Sequence, residues 1–169
     1  RTIAFDARFI KPAHPDGISR FSLGLISELA KLTPLKVVVC DPMVQAKLPK
    51  NVEVIWAGDP TSPLELFTAI QLNKAGIDVL FSPMQTTSGF ARKFKLVLTL
   101  HDLIYYRHRT PPREFNPLVR VIWWLYHLSY APQRLVLNGA DAVATVSETT
   151  KKQMLLNRLT KRPISVIYN

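Results

Sequence analysis

Cysteine is nearly missing from this chain: Cys40 is the only thiol in 169 residues. No disulfide framework or cysteine-based metal site can be built from it, and a reducing compartment, the cytoplasm, is expected. No signal-peptide pattern opens the sequence, whose first residues alternate in the manner of a strand. The chain begins on Arg1 instead of Met and reads as a piece of something longer. Long apolar runs are missing too. The greasiest stretch, from Val121, is too short and too interrupted by His127 to span a bilayer. A G-x-G-x-x-G turn after the first apolar stretch is lacking, which counts against a dinucleotide-dependent oxidoreductase. There is no Walker-type Gly-Lys-Ser either. With no internal repeat, low-complexity tract or linker, one domain is the economical reading.

Acid is the other shortage. Twelve Asp and Glu face 22 Lys and Arg, for a net charge of +10 and a pI near 10.0. Such an excess implies an anionic partner: nucleic acid, acidic lipid or phosphorylated small molecules. A hydrophobic fraction of 47% with 20% charged residues suits a folded core and argues against disorder.

The stretch that organises the rest is Lys95 to Asp102. It is an apolar run of strand length, buried on both faces as in a parallel sheet, that stops on His101 and Asp102. In open α/β sheets ligands sit outside the carboxyl ends of the strands. A histidine there can move a proton or hydrogen-bond a ligand. The plainer alternative is that His101 caps the strand and Asp102 opens a turn.

Around it, strands alternate with helical patterns. Thr2–Asp6 is a first strand, followed by a loop holding Pro12 and Pro15. Gly17 opens a helix whose Phe21, Leu25, Leu29 and Leu32 make an apolar face, and Pro34 stops it. The start of that helix (Asp16, Gly17, Ile18, Arg20) offers N–H groups to an anion, and a glycine admits close approach of a ligand. Gly17 equally serves as a turn residue. Lys36–Cys40 and Val52–Trp56 are further strands, with Asp41-Pro42 starting a short helix between them. Ser62-Pro63 starts another helix, with Leu66, Phe67, Ile70 and Leu72 on its apolar face. Asp78–Pro83 is a fourth strand, leading into a loop, 84–89. Asn138–Glu148 is a sixth, ending on Ser147, a helix-capping residue. The next helix is expected to turn Met154, Leu155 and Leu159 inward, and a short strand, 163–167, ends the pattern. This order predicts an α/β, Rossmann-like, doubly wound and mostly parallel sheet of about seven strands, with helices on both faces.

Between Ile104 and Arg134 the composition turns basic and aromatic. The pattern predicts a helix over 114–130 with Trp123 and Trp124 on it. Arg113, Arg120, His127 and Arg134 recur every seventh residue along one stripe. Such a helix can lie in the headgroup layer of an anionic membrane, hold single-stranded nucleic acid, or pack as a core helix with one wet face.

The motifs, in order, resemble a known family. They are Asp6-Ala7-Arg8, Gly17-Ile18-Ser19-Arg20-Phe21, Leu100-His101-Asp102-Leu103, Ala140 to Glu148, and Val166-Ile167-Tyr168-Asn169. Together they look like the N-terminal half of family 4 (group 1) retaining glycosyltransferases, which have the GT-B architecture of two facing Rossmann-like lobes. The resemblance implies that residues 1–169 form the acceptor-side lobe and that a donor-binding C-terminal lobe lies beyond them. It further implies retaining transfer of a hexose, such as mannose, from a nucleotide-sugar to a lipid-linked or glycan acceptor. The nucleotide-sugar is substrate; no cofactor and no metal are expected.

On this resemblance His101 lies against the donor sugar and positions it, without acting as nucleophile. Asp102 orients its loop, Asp16, Gly17, Ile18 and Arg20 meet donor phosphate or acceptor, and Ser147-Glu148 opens a helix near the cleft. Arg113, Arg120, Trp123, Trp124 and His127 are the candidate membrane or acceptor contacts, at the inner face of the membrane. The family's glycine pair before the first helix is Asp16-Gly17 here, and its Glu-x7-Glu motif has no counterpart in the chain. The isolated chain is therefore expected to be inactive. The competing function is a basic Rossmann-like module that binds nucleic acid or another anionic partner.

Overall fold

The computed structural model describes residues 1–108, 110–111 and 116–168. They form two compact units, Arg1–Thr99 and Leu100–Tyr168. The fold is α/β and Rossmann-like, with seven strands among the described residues.

In the first unit the strands are β1 (Ile3–Asp6), β2 (Leu35–Val39), β3 (Glu53–Trp56), β4 (Val79–Ser82) and β5, which starts at Lys95 and runs to Leu100. All pair in parallel, in the order β3-β2-β1-β4-β5. The β-branched and aromatic residues that mark these stretches in the sequence are the ones buried: Phe5, Val37, Val38, Val39 and Leu80 are fully out of solvent. Phe5 and Phe81 stack across neighbouring strands with ring centroids 5.3 Å apart. From β1 the chain winds outward through β2 to β3, then returns to lay β4 on the other side of β1. That reversal makes the carboxyl ends of β1 and β4 the switch point where an open α/β sheet leaves a crevice.

Helix α1 (Gly17–Leu32) follows β1, but its inward face is Phe21, Ser22, Ile26 and Ala30. Leu25 and Leu29 are half-buried and Leu32 is exposed. Helix α2 (Pro42–Gln45) is a single turn. The continuous helix expected after Ser62 does not form. A 3₁₀ stretch, Pro63–Phe67, precedes α3 (Thr68–Leu72), and a second 3₁₀ turn runs to Ala75. The tighter winding changes which side faces in. Leu72 is buried as expected, but Glu65 goes inward while Leu66, Phe67 and Ile70 stay exposed.

The second unit holds α4 (Ile104–Arg107), α5 (Pro117–Tyr126), α6 (Ala131–Gly139), β6 (Ala142–Thr145), α7 (Glu148–Leu156) and β7 (Ile164–Val166). Strands β6 and β7 pair in parallel. Leu100, Leu103, Leu137, Val143, Met154 and Leu159 form its core. Leu155 is exposed rather than inward, because the face of α7 is set by Thr150 and Met154.

The long basic helix expected over 114–130 is corrected. Asn116 caps α5 by accepting from the Val119 N–H, and Pro117 occupies the first turn. The helix ends at Tyr126, and Pro132 sits in the first turn of the separate α6. The four-residue stripe therefore does not exist as one line. Arg113 lies outside the described residues. Arg134 rides on α6, where its guanidinium donates to the carbonyls of Arg158 (3.1 Å) and Asn157 (2.9 Å).

Candidate functional site

At the switch point of the first unit the sequence places an aspartate at the end of β1 and an arginine two residues on. Arg8 lies in the turn that follows β1, and its backbone N–H donates to Asp6 Oδ1 at 3.3 Å. The Arg8 guanidinium meets Asp6 with Nε on Oδ1 and Nη2 on Oδ2, both at 2.8 Å. It meets Glu65 with Nη1 on Oε2 at 2.6 Å and Nη2 on Oε1 at 3.1 Å, and Nη1 also donates to the Gly58 carbonyl at 3.0 Å. All five guanidinium N–H groups have acceptors. Such full satisfaction is what lets charges leave water, since a buried pair with an unmet donor loses more in desolvation than it gains. Burial works against the charged form of Arg8. Hydrogen bonds and charge from Asp6, then from Glu65, more than offset it and raise the pKa.

The same carboxylates hold the loop after β4. The Thr87 hydroxyl donates to Asp6 Oδ2 at 3.0 Å, and the Ser88 N–H to Glu65 Oε1 at 3.1 Å. With the Thr87 proton committed to Asp6, the 2.6 Å contact between the Ser82 and Thr87 hydroxyls has Ser82 as donor. The crevice end of the first unit is thus a preorganised frame. Asp6 and Arg8 come from the strand end quoted above; Glu65, Thr87 and Ser88 carried no signal in the sequence, because nothing local marks a partner 57 residues away.

At the start of α1, Asp16 is the N-cap. Its Oδ1 accepts from the Ser19 N–H (2.9 Å) and hydroxyl (2.8 Å), and Lys11 lies 3.1 Å from Oδ2. Burial pushes its pKa up, but the Ser19 bonds and Lys11 outweigh that and hold it below the usual carboxylate range. The helix's positive end therefore already faces a carboxylate, which opposes a second anion there. Gly17 and Arg20 are exposed and Ile18 half-buried. A Cβ on Gly17 would meet open space.

In the second unit, His101 follows β5 directly and is half-buried, with Asp102 exposed beside it. Asp102 Oδ1 accepts from the Ile104 N–H at 3.0 Å and so shapes the turn into α4. Ser147 caps α7: its Oγ accepts from the Thr150 N–H at 3.1 Å. The Thr150 hydroxyl donates to the His101 carbonyl at 3.3 Å, and the 3.0 Å contact between the Ser147 and Thr150 hydroxyls then has Ser147 as donor. A chain of hydrogen bonds runs from the α7 cap to the His101 backbone. It brings His101 and Ser147 together, with Glu148 exposed in the first turn of α7. Thr150 escaped the sequence reading; its place three residues after an N-cap was the available sign.

Of the basic-aromatic residues, Trp123 and His127 turn inward. His127 Nδ1 lies 2.8 Å from the Trp123 carbonyl and so carries the proton; its ring stacks on Trp123 at 4.0 Å. Tyr105, Tyr106 and Tyr126 pack around it. Gln133 Oε1 accepts from the Tyr106 and Tyr126 hydroxyls. Arg120 is half-buried and Trp124 exposed. Among the described residues no three His, Cys, Asp or Glu group together as metal ligands, and no helix is long and apolar enough to cross a membrane.

The family model Glycosyltransferase Family 4 matches residues 15–169. The chain belongs to glycosyltransferase family 4. No curated protein matches it in sequence. Two solved structures of Anabaena Alr3699/HepE share the fold of this family 4 chain. The one in complex with UDP and glucose is 17% identical, with a TM-score of 0.61 over 99% of this chain and 44% of its own. The one in complex with UDP-glucose is 16% identical, with a TM-score of 0.59 over 99% and 43%. The family 4 chain thus spans less than half the length of those proteins.

Proposed function

We propose that this family 4 chain is the acceptor-side lobe of a retaining glycosyltransferase, completed by a donor-binding lobe. It would move a hexose from a nucleotide-sugar to a lipid-linked or glycan acceptor at the cytoplasmic face of a membrane. The observation that carries the reading is His101: an imidazole at the carboxyl end of a parallel strand, its backbone held by Thr150 and, through it, by the Ser147 cap of α7. That anchoring fixes the backbone from which the ring reaches a sugar, and preorganised donors are worth most where charge develops.

In the transfer step the bond between the sugar's anomeric carbon and the phosphate oxygen breaks. The acceptor oxygen bonds the same face of that carbon, and the acceptor proton passes to the departing phosphate. His101 donates a hydrogen bond to the reacting sugar and forms no covalent bond. The capped start of α1 suits a neutral acceptor hydroxyl better than a phosphate, because Asp16 already supplies the negative charge there. Glu148 sits exposed in the first turn of α7, within reach of the same end of the sheet as the Ser147 cap.

UDP-glucose is the first donor to test, since one Anabaena structure holds it and the other holds UDP and glucose. In the whole protein, UDP release from UDP-glucose, with water as the default acceptor, is expected to fall about a hundredfold or more in His101→Ala, the scale of losing an oxyanion-type donor. Unchanged release in that variant, with activity present in the parent, overturns the role given to His101. Failure of a panel of sugar nucleotides to react at all overturns the transfer reading.

A further inference from the structure

The outward side of α5 is apolar throughout. Leu118, Val121, Ile122, Trp124, Leu125 and Leu128 are all exposed, Leu118 at 70% and Ile122 at 57%. Helical spacing places them together, opposite the side that turns Trp123, Tyr126 and His127 onto the aromatic cluster. No residue of α5 is fully buried. A soluble surface helix shows the reverse arrangement, with polar groups outward, and a contiguous exposed patch of this kind marks an interaction site.

Charge selects the partner. Residues 116–140 contain no Asp or Glu, and residues 100–168 hold ten Lys and Arg against four acids. The one charged side chain on α5, Arg120, borders the apolar face. With Pro111, Pro117, Val121 and Trp124 it lines an open notch of about 340 Å³. An acidic protein groove would match the charge but would not need six adjacent apolar groups facing out. A nucleic-acid strand would need ring faces presented in series, and here the one exposed tryptophan stands among aliphatics. An anionic bilayer matches both features, with acyl chains for the apolar face and lipid phosphate for Arg120.

We infer that α5 is an interfacial docking helix. It lies flat in the headgroup layer of an anionic membrane, apolar face down, with Arg120 against a lipid phosphate. The assignment rests on the membrane-face reading above, and vesicle binding is read without turnover, so its failure is distinguishable from failure of the transfer reading.

The full chain is mixed with vesicles of phosphatidylcholine, or of phosphatidylcholine with phosphatidylglycerol, and floated at low and high salt. Binding is expected only to the anionic vesicles, weakened by salt, with a blue shift of tryptophan emission that Trp124→Phe removes. Ile122→Asp and, separately, Leu118→Asp should each lower the bound fraction about tenfold or more while leaving the far-ultraviolet circular dichroism unchanged. Arg120→Gln should weaken binding about fivefold, as expected for one basic residue at such a surface. Three results overturn the assignment: no binding to anionic vesicles, binding by both aspartate variants equal to that of the parent, or a lipid-free dimer by light scattering that Ile122→Asp dissociates.

Discussion

The Thr150 hydroxyl donates to the backbone carbonyl of His101 across 3.3 Å, tying the first turn of α7 to the residue that follows Leu100. Thr150→Val removes this donor from the His101 carbonyl and takes away the acceptor of the Ser147 hydroxyl. A loss of about 1 kcal/mol in urea unfolding is expected. In UDP-glucose turnover by the whole protein, kcat should fall in Thr150→Val and recover in Thr150→Ser, with donor KM little changed. A kcat unaffected by the valine would show that this bond does not position His101.

Arg8 is the pivot of the first unit's buried network, and removing it leaves two carboxylates facing each other without a counterion. Arg8→Met is expected to destabilise by about 3–5 kcal/mol, as for breaking a buried ion pair from one side. Glu65→Gln keeps an amide oxygen for the Ser88 N–H and should cost less. The order of the two urea midpoints checks this, and equal midpoints would contradict the geometry.

Asp16 caps α1 as a carboxylate, so Asp16→Ala is expected to lose about 1 kcal/mol at neutral pH. Its folded pKa lies below the ordinary value. Its stabilisation is therefore complete above the unfolded carboxylate pKa, near 4, and is lost as pH falls through the depressed folded value. Stability against pH for parent and variant should converge on acidification. Parallel curves would show that the charge of the cap contributes nothing.

Gly17 has a backbone any residue can adopt and open space where a Cβ would stand. Gly17→Ala should therefore leave the melting temperature unchanged or slightly higher, since alanine favours a helix. If a ligand approaches the backbone here, KM for donor or acceptor rises without any loss of stability. A variant unchanged in both respects returns Gly17 to the role of a simple turn residue.

Where neighbours in sequence are neighbours in space, the residues alone were sufficient. Val37-Val38-Val39 and Leu96 to Leu100 announce buried parallel strands, and Asp41, Ser62 and Ser147 all cap the helices or 3₁₀ turn that follow them. His101 at a strand's end and the family motifs were legible for the same reason. Periodicity misled where winding or length departed from a regular helix. The 3₁₀ stretch after Pro63 rotated Glu65 inward and Phe67 out, and the break between α5 and α6 dissolved the seven-residue stripe.

By itself the sequence determined the strand–helix alternation, the caps and the basic excess, because each depends on residues a few positions apart or on a simple sum. Only the tertiary structure decided that Glu65 and Thr87 join Asp6 and Arg8, that Thr150 holds His101, and that α5 turns Trp123 and His127 in while leaving Ile122 and Trp124 out. Those choices depend on contacts between distant segments, where burial and hydrogen-bond satisfaction, rather than local spacing, select the face each side chain takes.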